Sequence, residues 1–276
     1  MPSHVIINAD DFGLDAHENA VILQAFQAGL ISSATAMANM PAFAQACAMA
    51  RLPLLRGRVG LHLNLTHGRP LSQAIVAQPA FCNGAGEFDL RLPRHCLWLQ
   101  ASVREAIHQE LHAQWQRCLD LGLKPSHLDS HQHVHNIWPI GEILARFAAQ
   151  HGVPVRLARN LGSRIHPVKR LYKTLFNRRL RQLAASTADY VCTPADLRDL
   201  APPERGLLEV IAHPSLLDGD FGDTYLRPEE SLSQVLQQRL EGIERVSYGH
   251  RASSGGAWSN AGRRHTDAFQ KQQPGS

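Results

Sequence analysis

Two aspartates stand side by side in NADDFG, residues 8–13, directly after the apolar run at residues 5–7. Adjacent carboxylates repel, and each loses hydration on burial unless a positive group answers it. Imidazoles recur further along the chain. GLHLNLT carries His62, HLDSHQHVH places four histidines within nine residues, and EVIAHP ends on His213 and a proline. Each has a structural explanation when taken alone: a helix-capping turn, a hydrogen-bonded strand histidine, a core histidine at a strand end. In combination they point to metal and acid–base chemistry. One carboxylate and two imidazoles form an open mononuclear site for a divalent ion, with positions left for water and substrate. Such an ion makes a second aspartate tolerable beside the first, as a base next to the bound water.

These side chains need elements that bring them to one place. Residues 5–8 read as a buried strand running into Asp10 and Asp11, followed by a helix over residues 14–29 with Asp15 as N-cap, Glu18 completing a capping box and Gly29 as its stop. SATAMANM reads as a second strand, Pro41 opens a short helix, and GRVGLHLNLT is a third strand. In that strand, alternation sets Val59, Leu61, Leu63 and Leu65 on one face and Gly60, His62, Asn64 and Thr66 on the other. Residues 67–95 read as an excursion and residues 103–122 as a long helix. KPSHLDSHQHVH reads as a strand with its exit loop, with His127, Asp129 and His131 on one face. A helix over residues 139–150 closed by Gly152, then strands VPVRLAR, DYVCT and LLEVIAHP, and a helix over residues 228–241, complete the pattern. Repeated strand–helix units over some 240 residues predict the α/β class and a single (β/α) TIM-like barrel. Asp11, His62 and His131 then fall at the C-terminal ends of different strands, where barrels place their chemistry. The barrel domain is read as residues 1–249. Residues 250–276, rich in Gly, Ser, Gln and Arg, are expected to be a disordered tail.

Composition narrows the class. The chain has 276 residues, 44% of them hydrophobic, without an apolar run long enough to span a bilayer and without a signal-peptide pattern. Five cysteines never fall in C-x-x-C spacing and read as reduced structural thiols, so a cytoplasmic location is expected. The net charge of +4 is mild, and no nucleic-acid partner is expected. Residues 164–183 hold seven Lys or Arg and no acid. Their apolar residues Val168, Leu171, Tyr172, Leu175, Phe176 and Leu183 recur at helical spacing, which predicts a buried stripe with a solvated cationic face. The sharper reading of this segment is peripheral membrane contact. Whether the chain forms a homodimer stays open.

NADDFG, GLHLNLT, KPSHLDSHQHVH and EVIAHP, in that order, resemble the YdjC-like carbohydrate deacetylases, which include chitooligosaccharide deacetylases and hopanoid-biosynthesis-associated deacetylases. The resemblance covers residues 4–248 and implies a barrel of the glycoside hydrolase/deacetylase type. It also implies hydrolytic removal of acetyl from an N-acetylated amino sugar, either a chitooligosaccharide or an N-acetylglucosaminyl glycolipid. It places metal ligation on Asp11, His62 and His131 and suggests Asp10 as general base. His213 matches a C-terminal catalytic histidine of the wider superfamily. The implied ion is Mg2+, although two imidazoles by softness also suit Zn2+. His213 would protonate the departing amine. Arg156 in VPVRLAR could orient Asp10 or bind sugar hydroxyls. His133 and His135 stay open as further ligands, His135 by its i, i+4 spacing from His131. The competing readings are a metal-dependent phosphoesterase and a non-enzymatic basic surface binder.

Overall fold

A strand that is apolar on both faces has to be covered on both, and β1 (His4–Phe12) is buried along nearly its whole length. It lies inside a parallel sheet, between β2 (Ser33–Ala36) and β6 (Leu207–Ala212), with β9 (Glu244–Arg245) paired to its start. The computed structural model describes residues 2, 4–163, 165–184 and 188–248. The sheet order is β4-β3-β2-β1-β6-β5, where β3 is Val59–Leu63, β4 Leu128–Ser130 and β5 Tyr190–Cys192. These six strands are paired in parallel, so their C-terminal ends share one rim.

Helices link and cover the strands. They are α1 (Ala16–Gln27), α2 (Phe43–Met49), the short α3 (Gln73–Val76), α4 (Ala101–Asp120), α5 (Trp138–His151), α6 (Pro167–Leu183), α7 (Pro194–Asp199) and α8 (Leu232–Leu240). Asp15 caps α1 by accepting from Glu18 N at 2.8 Å, and Gly152 ends α5 at φ 67°, as their residue types predict. A two-stranded hairpin, β7 (Pro214–Leu217) and β8 (Asp220–Asp223), follows β6 and was not foreseen from the sequence. All five cysteines are free thiols. The residues expected to form a disordered tail, 250–276, lie outside the described residues.

The expected closed barrel is met in part: the architecture is a curled parallel sheet flanked by helices. Among the described residues β4 and β5 do not pair, and VPVRLAR forms a single bridge, Val155 to Leu128, in place of a full strand. Residues 154–161 nevertheless reach both edges. Arg156 N donates to Leu128 O at 2.9 Å, while Asn160 N and Leu161 N both donate to Val191 O at 3.1 Å. Between these anchors Ala158 takes no strand partner. Asn177 of α6 accepts from its N–H and donates to its carbonyl, both at 2.8 Å, so a side-chain amide replaces the ladder.

That amide also decides how α6 sits. Phe176, Asn177 and Leu180 are buried, whereas Val168, Leu171 and Leu175, expected in the buried stripe, face outward. The KPSHLDSHQHVH segment likewise departs from expectation. β4 ends at Ser130, and His131 opens a turn over His131–Asn136 in which Gln132 and His133 adopt positive φ.

Where β3 meets β4 the backbones come close. His127, stacked on Tyr248 at 3.7 Å between ring centroids, lies against Gly60. A Cβ on Gly60 would stand 2.6 Å from both His127 Nδ1 and His127 O, closer than any real Cβ contact. Gly60→Ala is therefore expected to destabilise the fold by about 1–3 kcal/mol. Urea unfolding checks this, and a variant as stable as the parent would show that the strands part more easily than the packing implies.

Candidate active site

In a regular strand adjacent residues point to opposite faces, which would separate Asp10 from Asp11. The end of β1 is not regular. Its register with β2 slips between Ala9 and Phe12, and Asp11 lies at φ 67°, a conformation that Asp tolerates better than most residues. Both carboxylates therefore reach the same place. His62 Nε2 lies 3.9 Å from Asp10 Oδ2 and 3.3 Å from Asp11 Oδ1, and His213 Nε2 lies 4.0 Å from Asp10 Oδ2 and 3.7 Å from Asp11 Oδ2. Gly13 at φ 89° completes the turn, its N–H donating to Asn19 Oδ1 at 2.7 Å. A side chain there would meet Phe43, which gives the glycine of NADDFG its reason.

Beneath the carboxylates lies Arg156, fully buried. It donates two bonds of 2.8 Å to Asp10, and its nitrogens lie 2.6 Å from Asp129 Oδ2 and 2.6 Å from Glu209 Oε1. Tyr248 donates its hydroxyl to the other Glu209 oxygen. Burial by itself would raise the Asp10 pKa, but the Arg156 charge, with His62 and His213 nearby, outweighs it and holds Asp10 well below the usual carboxylate range. For Glu209 burial prevails and the pKa is raised. Of the two roles expected for Arg156, this geometry fits the orientation of Asp10 and not contact with a sugar.

The imidazoles are held from behind. His62 Nδ1 lies 2.7 Å from Asp129 Oδ1, and the Thr35 hydroxyl donates to Asp129 Oδ2 at 3.0 Å. His131 Nδ1 lies 2.6 Å from Thr66 Oγ1, whose own proton goes to Asn64 Oδ1 at 3.3 Å, so Nδ1 must be the donor. Both rings thus turn Nε2 toward Asp11 Oδ1, at 3.3 Å from His62 and 3.7 Å from His131. That oxygen is buried and, among the described residues, has no hydrogen-bond partner. Atoms sharing one ion at about 2.1 Å sit roughly 3–3.5 Å apart, so Asp11 Oδ1 lies close to that spacing from each imidazole. Electrostatics agree. Burial opposes a charged His62, yet Asp129, Asp10 and Asp11 raise its pKa to about 10, so the pocket favours a cation at that imidazole. Burial and the charge of His62 lower His131 to about 4, leaving it neutral and able to donate a lone pair.

Asp10, His62 and Asp129 also form a buried cluster whose potential ligand atoms lie within 4.8 Å of one another, which suggests a divalent metal site. Within it both Asp129 oxygens already serve His62, Thr35 and Arg156, and both Asp10 oxygens serve Arg156. Among the described residues Asp11 Oδ1 meets the imidazole Nε2 atoms and accepts no hydrogen bond. His133 Nε2 instead pairs with the Tyr225 hydroxyl at 3.0 Å, and burial drops its pKa to about 3. His135 is buried, with Nδ1 2.5 Å from Ser130 Oγ.

Several supporting residues carried no sequence signal. Glu110 and Gln114 on α4 are buried. Glu110 accepts from Leu71 N and Ser72 N, and Gln114 bonds the backbone of Asn64 in both directions. Asn64 in turn holds Thr66 and His67. Asp223 accepts the backbone N–H of His213 at 2.7 Å, and Tyr225 stands edge-on to the His213 ring at 5.1 Å. An i, i+4 Glu–Gln pair could have marked α4; nothing marks Asp223 or Tyr225 before the β7–β8 hairpin brings them in.

A family model described as YdjC-like protein matches residues 4–242. A carbohydrate deacetylase of Geobacillus stearothermophilus is 44% identical over 162 residues, which is 58% of this chain and 62% of that one. The match with this relative thus spans less than two thirds of its length. A chitooligosaccharide deacetylase of Klebsiella pneumoniae (strain 342) is 33% identical over 239 residues, 84% of this chain and 90% of that one. A proposed cellobiose-phosphate cleavage protein of Enterococcus faecalis V583 shares the fold at a TM-score of 0.65 and 24% identity, over 90% of this chain and 98% of that one.

Arg156→Met would leave three buried carboxylates without their common cation, an expected loss of about 3–5 kcal/mol near pH 7. With Arg156 present, the folded pKa of Asp10 lies below its unfolded value, so its stabilisation is complete above about pH 4 and lost as pH falls through the folded pKa. In the variant, burial raises the folded pKa above the unfolded one, and stability returns as pH falls. The difference between parent and variant should narrow from pH 7 toward pH 4, read from urea midpoints. A gap independent of pH would refute the electrostatic role.

Proposed function

The chain belongs to the YdjC-like family, and from that premise we propose a metal-dependent hydrolase that removes acetyl from an N-acetylated amino sugar and releases acetate. The observation that carries the reading is Asp11 Oδ1, a buried oxygen without a hydrogen-bond partner among the described residues, 3.3 Å from His62 Nε2 and 3.7 Å from His131 Nε2. In this reading Asp11, His62 and His131 hold one divalent ion, Mg2+ by the family resemblance and Zn2+ by ligand softness. When bound, the ion supplies Lewis acidity and lowers the pKa of water.

The chain's own residues do the rest. Asp10 takes the proton of the attacking water. Arg156 keeps that carboxylate ionised and pins its plane, so the base is weak but oriented. His213 gives a proton to the departing nitrogen, which leaves poorly as an anion. Its Nδ1 is buried and has no hydrogen-bond partner among the described residues, whereas His62 and His131 are both pinned at Nδ1. That contrast supports His213 as the ring that exchanges a proton and His62 and His131 as the ligands. Tyr225 stands edge-on to the His213 ring, and its hydroxyl pairs with His133 Nε2. The acetylated substrate is a chitooligosaccharide or an N-acetylglucosaminyl glycolipid.

Acetate release from N-acetylglucosamine oligomers and glycolipids, with and without added divalent ions, tests the reading; no metal-dependent release from any of them would overturn it. Asp10→Asn is expected to retain one ion per chain and lose about 10²–10⁴-fold in turnover. Asp11→Asn should lose metal affinity first, measured by metal analysis after dialysis. Equal metal loss in both variants would refute the division between base and ligand. For kcat/KM the parent should show a bell-shaped pH profile, since an ionised base and a protonated acid are both required. His213→Ala should lose its alkaline limb; an unchanged limb would remove His213 as the acid.

A further inference from the structure

The outward turn of α6 leaves an apolar ridge without cover. Val168, Leu171 and Leu175 stand at i, i+3 and i+7, one line along the helix, and are 70%, 61% and 50% exposed. The loop before α4 adds Leu97 at 66% and Trp98 at 71%. Trp98, Val168, Leu97 and Leu171 are the four most exposed large apolar side chains among the described residues, and all belong to these two segments. Scattered exposed leucines are ordinary; a set concentrated in two segments beside one turn is not. Both segments touch the turn that carries His131: the Tyr172 hydroxyl donates to Asn136 O at 2.9 Å, and Arg94 donates to Gln132 O at 2.8 Å.

Cations border the ridge. Lys169, Arg170, Arg178 and Arg181 are exposed, and Arg178 continues the line of Leu171 one heptad on. Arg179 is paired with Glu142 at 2.6 Å. Among the described residues Lys169, Arg170 and Arg178 have no carboxylate within ion-pair distance. Aliphatic side chains flanked by unpaired cations match the boundary between anionic headgroups and acyl chains. A second copy of this chain fits poorly, because a two-fold contact would set this cationic face against itself. No helix among the described residues is long and apolar enough to cross a membrane, so contact would be peripheral.

We propose that the exposed ridge of α6, with Leu97 and Trp98, is a docking surface for an anionic lipid bilayer that sets the rim of the candidate active site against the membrane. The proposal does not depend on the hydrolase reading, because lipid binding is measured without turnover. Flotation of the full chain with phosphatidylcholine vesicles and with vesicles containing phosphatidylglycerol tests it. Binding is expected only with the anionic vesicles at low salt, falling as salt rises, with a blue shift of tryptophan emission as Trp98 enters the interface. Arg170→Gln with Arg178→Gln should weaken partitioning about fivefold for each cation removed. Leu171→Ser with Leu175→Ser should weaken it about tenfold or more. All four side chains are exposed, so unfolding midpoints should stay unchanged. No binding at low salt would overturn the proposal. So would binding undiminished in both variants, which would assign it to another part of the chain, or a parent that dimerises through this face without binding lipid.

Discussion

A single buried guanidinium, that of Arg156, sets the conditions for everything at the rim of the sheet. It holds Asp10, Asp129 and Glu209, from β1, β4 and β6, by contacts of 2.6–2.8 Å. A buried ion pair is weak evidence of stability, because desolvation offsets much of the Coulombic gain. Its value here lies in geometry. One planar fork fixes three strands at the same height, and through Asp129 it reaches His62 Nδ1, so that ring's Nε2 is aimed by a chain of charged hydrogen bonds. Asp11 stands near these groups without touching the guanidinium, and the negative charge of Asp129, Asp10 and Asp11 is what makes a cation at His62 favourable.

The second constraint is the kink at Asp11. Positive φ in a residue other than glycine costs about 1 kcal/mol or more, and such strain persists only where the surroundings over-determine it. Here the turn is held by Leu14 N donating to Asp11 O at 3.0 Å and by Gly13 N donating to Asn19. The same device recurs across the rim, where Gln132 and His133 adopt positive φ after His131. Both departures from regular strand occur where a side chain must be turned into the cleft, and both would be lost in a sheet of ideal strands.

Helix α6 shows how one buried polar residue redirects an element. Its apolar spacing alone favours burial of Val168, Leu171 and Leu175. Asn177 instead turns inward to complete the hydrogen bonding of Ala158, which the curled sheet leaves without a ladder partner, and carries Phe176 and Leu180 with it. With Asn177 inward, neither the N–H nor the carbonyl of Ala158 is left unpaired. The exposed ridge is the consequence, and it lies beside the same turn that supplies His131.

Much of the element order was legible in the chain, because strand and helix periodicities are local: the runs at β1, β3 and β6, the capped α1, and α5 with its glycine stop all stand close to where their patterns put them. The residues gathered at the rim, Asp10, Asp11, His62, His131 and His213, were also legible, since chemistry-bearing types at the ends of apolar runs must share one side of a parallel sheet. Tertiary structure decided what local pattern does not encode. It reduced VPVRLAR to one bridge, ended β4 before His131, and rotated α6, each through a partner distant in sequence. It also recruited Glu110, Thr66, Asp223 and Tyr225, ordinary residues on a helix, loop and hairpin, whose roles arise from the hydrogen bonds they complete. A side chain's type is written in the sequence. Which nitrogen of a histidine is pinned, and which oxygen of an aspartate accepts no hydrogen bond, depends on neighbours that only folding supplies.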